Sequence, residues 1–162
     1  MEIRKLEFAD LEFFNKVRNE YAMEYLHDSR IFTLQQTIEW FNNTRPDFYL
    51  IEENSEKIGY FRLSNYSEIN KYIYVGADID KKFIGKKLGY KAYNIFIPFL
   101  FKTYKLNKIS LEVLSTNTVA LNLYKKLGFI YEGEKREEVF KNGIFINSIL
   151  MSILKKEYER TN

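Results

Sequence analysis

The 162-residue sequence has no cysteine and a single histidine. The first absence rules out a disulfide, a thiolate nucleophile and a thiolate-bound zinc, and the second leaves no histidine-based metal site, so no metal is expected. A large excess of charge of one sign is also missing. The net charge of +3 is too small to point to a nucleic-acid partner, although anionic small ligands remain compatible with it. Long apolar runs are missing too: even IFIPFLF, from Ile95 to Phe101, falls far short of the ~18 residues of a spanning helix, and MEIRKLEFAD has no apolar signal core. A soluble cytoplasmic protein with no membrane partner is the expectation. We see no repeat, low-complexity segment or linker, and 46% hydrophobic residues exclude a disordered chain. One domain over residues 1–162 is expected, burying about two-thirds of the surface that its unfolded chain exposes.

Periodicity and turn chemistry give the element order. Ile3 to Leu6 reads as a strand, and Asp10 as the N-cap of a helix with Phe13, Phe14 and Val17 on its apolar face. Thr33 and Gln36 have capping-box spacing ahead of a helix with Leu34, Ile38 and Phe41 on one stripe, ended by Arg45-Pro46-Asp47. Phe48 to Glu52, Lys57 to Leu63 and Lys71 to Ile79 read as an antiparallel meander. Gly76, inside the last strand, suggests a bulge, a close approach or simple packing. A long helix is expected over Ile84 to Tyr104, with Leu88, Ala92, Ile95, Phe96 and Phe99 on its buried stripe and a kink at Pro98. Strand Ile109 to Val113 follows, and strand, helix, strand in this order implies a parallel pair with a right-handed crossover. After a further helix come Ile130 to Lys135 and a hairpin around Lys141-Asn142-Gly143, flanked by Val139-Phe140 and Ile144 to Leu154. The expected order is β-α-α-β-β-β-α-β-α-β-β.

The stretch from Ile109 to Phe129, ISLEVLSTNTVALNLYKKLGF, carries the most information. Ser115, Thr116 and Asn117 offer helix caps, Ala120, Leu123, Tyr124 and Leu127 share one helix face, and Gly128 closes the helix in the left-handed conformation. The pattern Asn117-x-x-Ala120-x-x-Leu123-Tyr124-x-Lys126-x-Gly128-Phe129 after a strand resembles the cofactor-binding and proton-donating segment of the GNAT superfamily of N-acetyltransferases. The element order agrees with that resemblance. It implies an α/β (α+β) GNAT fold: a mixed, mostly antiparallel sheet, splayed at one parallel strand pair near Gly76 and flanked by helices. It also implies acetyl-CoA as cosubstrate and acetyl transfer to a primary amine by direct attack in a ternary complex.

The turn IDKKFIGKKLGYKA leads into the long helix. A helix N-terminus offers unpaired N–H groups and a positive dipole end to a pyrophosphate. The family pattern Arg/Gln-x-x-Gly-x-Gly/Ala falls on Ile84, Lys87 and Gly89, so Ile84 and Lys87 depart from it; Ile84 keeps its backbone N–H. The resemblance assigns cofactor contacts to Ile79, Ile84, Gly85, Lys86, Lys87, Gly89, Tyr90, Asn117, Tyr124 and Lys126. It makes Tyr124 the proton donor to the leaving thiolate, and puts the oxyanion against a backbone N–H near Gly76 to Asp78. Glu112 is the candidate general base, with Asp78 and His27 as alternatives.

The resemblance also implies an acceptor site between the first two helices and the terminal hairpin, at Arg18, Tyr25, Arg30, Trp40 and Phe140. VRNE, TLQQTIEWF and EGEKREEVFKNGIF resemble two GNAT branches, one acting on N-terminal amines of ribosomal proteins and one on nucleotide-linked amino sugars, and stacking plus guanidinium pairing tilt toward the second. The expected partner is therefore a small-molecule amine or a protein N-terminus, and the chain a monomer or homodimer. A non-catalytic acyl-CoA sensor on the same fold is the alternative, motivated by Ile84 and Lys87 and opposed by Tyr124.

Overall fold

The computed structural model describes residues 1–161. Its strands, β1 (Glu2–Lys5), β2 (Phe48–Glu53), β3 (Glu56–Ser67), β4 (Tyr72–Ile79), β5 (Lys108–Leu114), β6 (Ile130–Lys141) and β7 (Ile144–Leu154), form a sheet in the order β1-β2-β3-β4-β5-β7-β6. The helices are α1 (Leu11–Ala22), α2 (Leu34–Thr44), α3 (Leu88–Thr103), α4 (Thr118–Lys126) and α5 (Lys155–Thr161). β4 and β5 pair in parallel through Tyr72↔Lys108, Ile73↔Ile109 and Tyr74↔Ser110; beyond that register β4 continues to Ile79 and β5 to Leu114, where β5 is held by antiparallel β7. This is the mixed α/β sheet with one parallel pair that the sequence leads one to expect. By contacts the chain divides into two compact units, 1–63 with 76–92, and 64–75 with 93–162.

In the first unit, α1 buries Leu11, Phe14, Val17, Tyr21 and Ala22, and its core joins Leu6, Leu26, Leu50 and Tyr60, with Trp40 and Phe41 of α2 packed against it. Thr33 and Gln36 close their capping box reciprocally, at 3.2 and 2.9 Å, so the backbone donors at that helix start are satisfied locally. Asp10 meets the expectation in position but not in side-chain bonding. It does stand at the N-cap position of α1, but its side chain makes no cap bond to that helix; its buried carboxylate takes Arg4 at 2.7 and 3.1 Å, Lys57 at 2.7 Å and the Glu7 N–H at 2.9 Å, the last closing a capping box on the preceding 3-10 turn. Burial opposes its ionisation, but these partners hold the carboxyl down to about 2.

In the second unit, Asn142 (φ 49°) and Gly143 (φ 82°) make the β6–β7 turn, as two-residue hairpins require. β6 is one bulged strand through Lys141, with a register shift between Lys135 and Val139, where two separate runs were expected. α5 was not anticipated: KKEYER consists largely of good helix formers but is too short for a periodicity to show. α3 begins at Leu88 rather than Ile84 and continues through Pro98. Its buried residues are Ala92, Tyr93, Phe96, Ile97, Leu100 and Phe101, whereas Ile95 (42%) and Phe99 (39%) are exposed, a correction to the expected stripe.

Candidate active site

The first unit carries the loop ahead of α3. The buried Asp80 carboxylate accepts from Lys82 N at 3.0 Å and pairs with Lys16 at 2.9 Å. Burial works against its charge, but Lys16 and the Lys82 N–H hold its carboxyl below the ordinary range. A single 3-10 turn, Lys81–Phe83, follows, and the ammonium groups of Lys82 and Lys86 lie 4.6 and 5.0 Å from the Phe83 ring centre. Ile84 corrects one expectation: its N–H donates to Lys81 O at 3.2 Å, so it is spent on the turn rather than kept for phosphate. Gly85 (φ 82°) and Lys87 (φ 58°) are both left-handed. Lys87 thus adopts the backbone conformation that suits a glycine. Lys91 N donates to Lys87 O at 3.1 Å, which closes the first turn of α3 and leaves the N–H groups of Leu88 and Gly89 without intrahelical acceptors. Such a start can bind a phosphate.

The end of β4 holds one buried carboxylate, Asp78. A Cβ at Gly76 would sit 3.0 Å from Arg62 Nη2, so the close approach inferred at this glycine is that of a side chain. The Arg62 guanidinium passes over Gly76 to Asp78, with Nη2 donating to Oδ1 at 3.3 Å and Nε 3.0 Å from Oδ2. The second contact brings the charges together without an aligned hydrogen bond. Tyr60, fully buried beside this carboxylate, has its phenol pushed well up by burial and then by Asp78. Tyr21 donates to Ile79 O at 2.7 Å, occupying the carbonyl of a residue expected at the cofactor. The Tyr21 phenol is pushed up by burial and then by Asp78, Glu20, Glu24 and Asp80. Four carboxylates therefore bear on one phenol.

Among the expected acceptor residues, Arg18 and Arg30 come together. Their guanidiniums lie 4.3 and 5.2 Å from the Phe32 ring centre; Arg18 donates to Arg30 O at 2.5 Å, and Arg30 pairs with Asp28 at 2.8 Å. Tyr25 leans on Tyr21 at 6.1 Å. Trp40 is half-buried against the core of this unit, stacking on Phe14 at 5.4 Å and 8° and meeting Phe48 at 5.5 Å. His27 is exposed in the irregular segment after α1.

The second unit carries Tyr124. Asn117 caps α4, its Oδ1 accepting from Ala120 N at 3.1 Å, and Gly128 ends the helix at φ 88°. Tyr124 is buried, edge-on to Tyr93 at 5.7 Å and 87°, with Phe129 at 5.8 Å. Tyr93 was not anticipated, since nothing local in the sequence ties it to Tyr124. Lys126 is exposed. Glu112 is bound by Lys135 at 2.9 Å, and this pairing raises the Lys135 ammonium above its ordinary value. Phe140, 59% exposed, stands at the hairpin tip against Phe145 at 4.9 Å. Among the described residues no helix is long and apolar enough to cross a membrane, and no group of three or more acidic or histidine side chains is placed to hold a metal.

A family model described as an acetyltransferase (GNAT) domain matches residues 1–130. The chain belongs to this family. It is an acetyl-CoA-dependent N-acetyltransferase of the GNAT fold. The chain is 26% identical to a spermidine N(1)-acetyltransferase of Escherichia coli K12 over 98% of this chain and 88% of that protein. A putative ribosomal N-acetyltransferase of Bacillus subtilis is 28% identical over 62% of this chain and 55% of its own length. Among solved structures, the spermidine N-acetyltransferase of Vibrio cholerae in complex with CoA and spermine superposes with a TM-score of 0.90 at 26% identity, covering 98% of this chain and 97% of that one.

Proposed function

We propose that this GNAT enzyme acetylates a primary amine of a small polyamine, with residues 1–162 acting as one acetyltransferase domain. The carboxylates around Tyr21 do not carry this reading, because Lys16 pairs with Glu20 and Asp80, Lys81 with Glu24 and Arg62 with Asp78. The observation that carries it is similarity over 98% of the chain to spermidine N-acetyltransferases, one of them solved with CoA and spermine. This similarity takes the place of the tilt toward amino sugars, and of the protein N-terminus as the other branch.

The chemistry proposed is direct attack of the neutral amine on the thioester. A backbone N–H near Gly76 to Asp78 stabilises the oxyanion, and Tyr124 gives a proton to the departing thiolate. The loop at Gly85, Lys86, Lys87, Gly89 and Tyr90 binds the cosubstrate phosphates, and Asn117 keeps its side-chain N–H₂ for the pantetheine. Glu112 acts as base only if its pairing with Lys135 opens.

A second reading rests on Arg18 and Arg30 over Phe32. Two planar guanidiniums beside one ring suit a nucleotide diphosphate, and an amino sugar would then be the acceptor. One assay separates the two: release of free thiol from acetyl-CoA with spermidine, spermine, a nucleotide-linked amino sugar and an N-terminal peptide in parallel. Turnover confined to the polyamines is expected. Turnover confined to the amino sugar or the peptide overturns the polyamine proposal.

A further inference from the structure

Proton transfer from a buried phenol leaves a buried phenolate, which is costly unless a donor faces it. Tyr124 is 6% exposed and Tyr93 1% exposed. The Tyr93 hydroxyl donates to Tyr124 Oη at 3.4 Å. The edge-on geometry of the two rings directs one hydroxyl at the other without stacking the faces. A bond of 3.4 Å is long for O–H···O, but such bonds shorten when the acceptor gains charge, and catalytic hydrogen bonds commonly tighten only in the reacting complex. The Phe129 ring also packs against Tyr124, with ring centres 5.8 Å apart. The charged neighbours on α4 itself, Lys125 and Lys126, are exposed.

We propose that Tyr93 is a positioning residue for acetyl transfer: its hydroxyl orients the Tyr124 phenol and stabilises the phenolate formed when Tyr124 gives up its proton. This rests on the reading of Tyr124 as proton donor. In the step, the amine nitrogen forms a bond to the thioester carbon and the C–S bond breaks. The sulfur takes the Tyr124 proton, and the proton shed by the nitrogen passes to solvent, from which Tyr124 is reprotonated. No oxidant or reductant enters. Tyr93 keeps its own proton throughout, which distinguishes it from a second acid.

The test is Tyr93→Phe, which keeps the ring and the edge-on contact but removes the donor. Tyrosines labelled with ¹³C at Cζ are titrated by NMR in the wild type and in Tyr93→Phe, with Tyr124→Phe identifying the Tyr124 signal. The Tyr124 titration is expected to rise by about one pKa unit, the scale of one hydrogen bond to a charged oxygen. With spermidine as acceptor, kcat is expected to fall about tenfold, with the KM for acetyl-CoA unchanged. An unchanged Tyr124 titration overturns the inference. A raised titration supports it whether or not spermidine is acetylated, so failure of the polyamine reading is told apart from failure of this one. Unimpaired thiol release by Tyr124→Phe overturns the proton-donor reading and this inference with it.

Discussion

Arg62 reaches over the backbone of Gly76 to pair with Asp78, Nε to Oδ2 at 3.0 Å, with Gly76 lacking the Cβ that would meet the guanidinium. The Asp78 side chain is 8% exposed and that of Arg62 37%, so removing the arginine leaves a buried carboxylate uncompensated while only part of the cation's own hydration is regained. Arg62→Met is expected to destabilise the fold by about 2 kcal/mol, below the full cost of breaking a wholly buried pair. Adding Asp78→Asn should restore part of that loss, because the orphaned charge goes with it. Urea denaturation of both single variants and the double variant measures the coupling, and additive losses would mean that the pair is not a unit.

Acid stability has a definite source in Asp10. Its folded carboxyl sits at about 2 against an ordinary 3.8. A depressed carboxyl contributes stability that is complete above its unfolded value and is lost as pH falls through the folded one. The expected contribution is about 2 kcal/mol, present above about pH 4 and lost by about pH 2. Asp10→Asn should remove it at neutral pH and flatten the acid limb of the stability curve, as read from thermal midpoints between pH 2 and pH 7.

What could be read in the sequence was mainly what is local. Thr33 with Gln36, Asn117 with Ala120, and Asn142-Gly143 each satisfy backbone demands within a few residues, so their spacing is sufficient evidence. The burial of α3 is not legible in the sequence because Ile95 and Phe99 are as apolar as Phe96 and Leu100, and a helix with little polar contrast does not reveal which side faces the core. The contact of Arg62 with Gly76 and Asp78 depends on which residues of β3 and β4 lie side by side, and that of Tyr93 with Tyr124 on how α3 and α4 meet. Neither follows from spacing along the chain. Asp10 stands at the N-cap of α1 as aspartate before a helix usually does, but Arg4 and Lys57 take its oxygens with charge as well as hydrogen bonds, and neither partner is signalled by local spacing.

Lys87 stands at φ 58° where the family pattern has glycine. A left-handed lysine costs about 1 kcal/mol relative to glycine. Lys87→Gly is therefore expected to raise the thermal midpoint, by about 2 to 4 °C for a chain of this size. The same change removes an ammonium from the phosphate loop, so calorimetric affinity for CoA should fall severalfold at low salt, with the difference shrinking as salt rises. A lower midpoint would contradict the strain argument, and unchanged affinity would show that Lys87 does not reach the phosphates.

Asn117 serves two ends, and two substitutions separate them. Its Oδ1 caps α4 through Ala120 N, a bond worth about 1 kcal/mol when replaced by alanine. Its N–H₂ remains as a donor, the role proposed toward the pantetheine, and a serine hydroxyl can cap but is too short to replace both functions. Asn117→Ala is expected to lose both stability and acetyl-CoA affinity. Asn117→Ser should recover most of the stability while the KM for acetyl-CoA stays raised. If serine restores both, Asn117 acts through the cap alone, by holding α4 and with it Tyr124 in place. If alanine leaves the KM untouched, the pantetheine contact is absent. Melting curves with steady-state kinetics on the three proteins distinguish these outcomes, since a cap moves the midpoint and a ligand contact moves the KM.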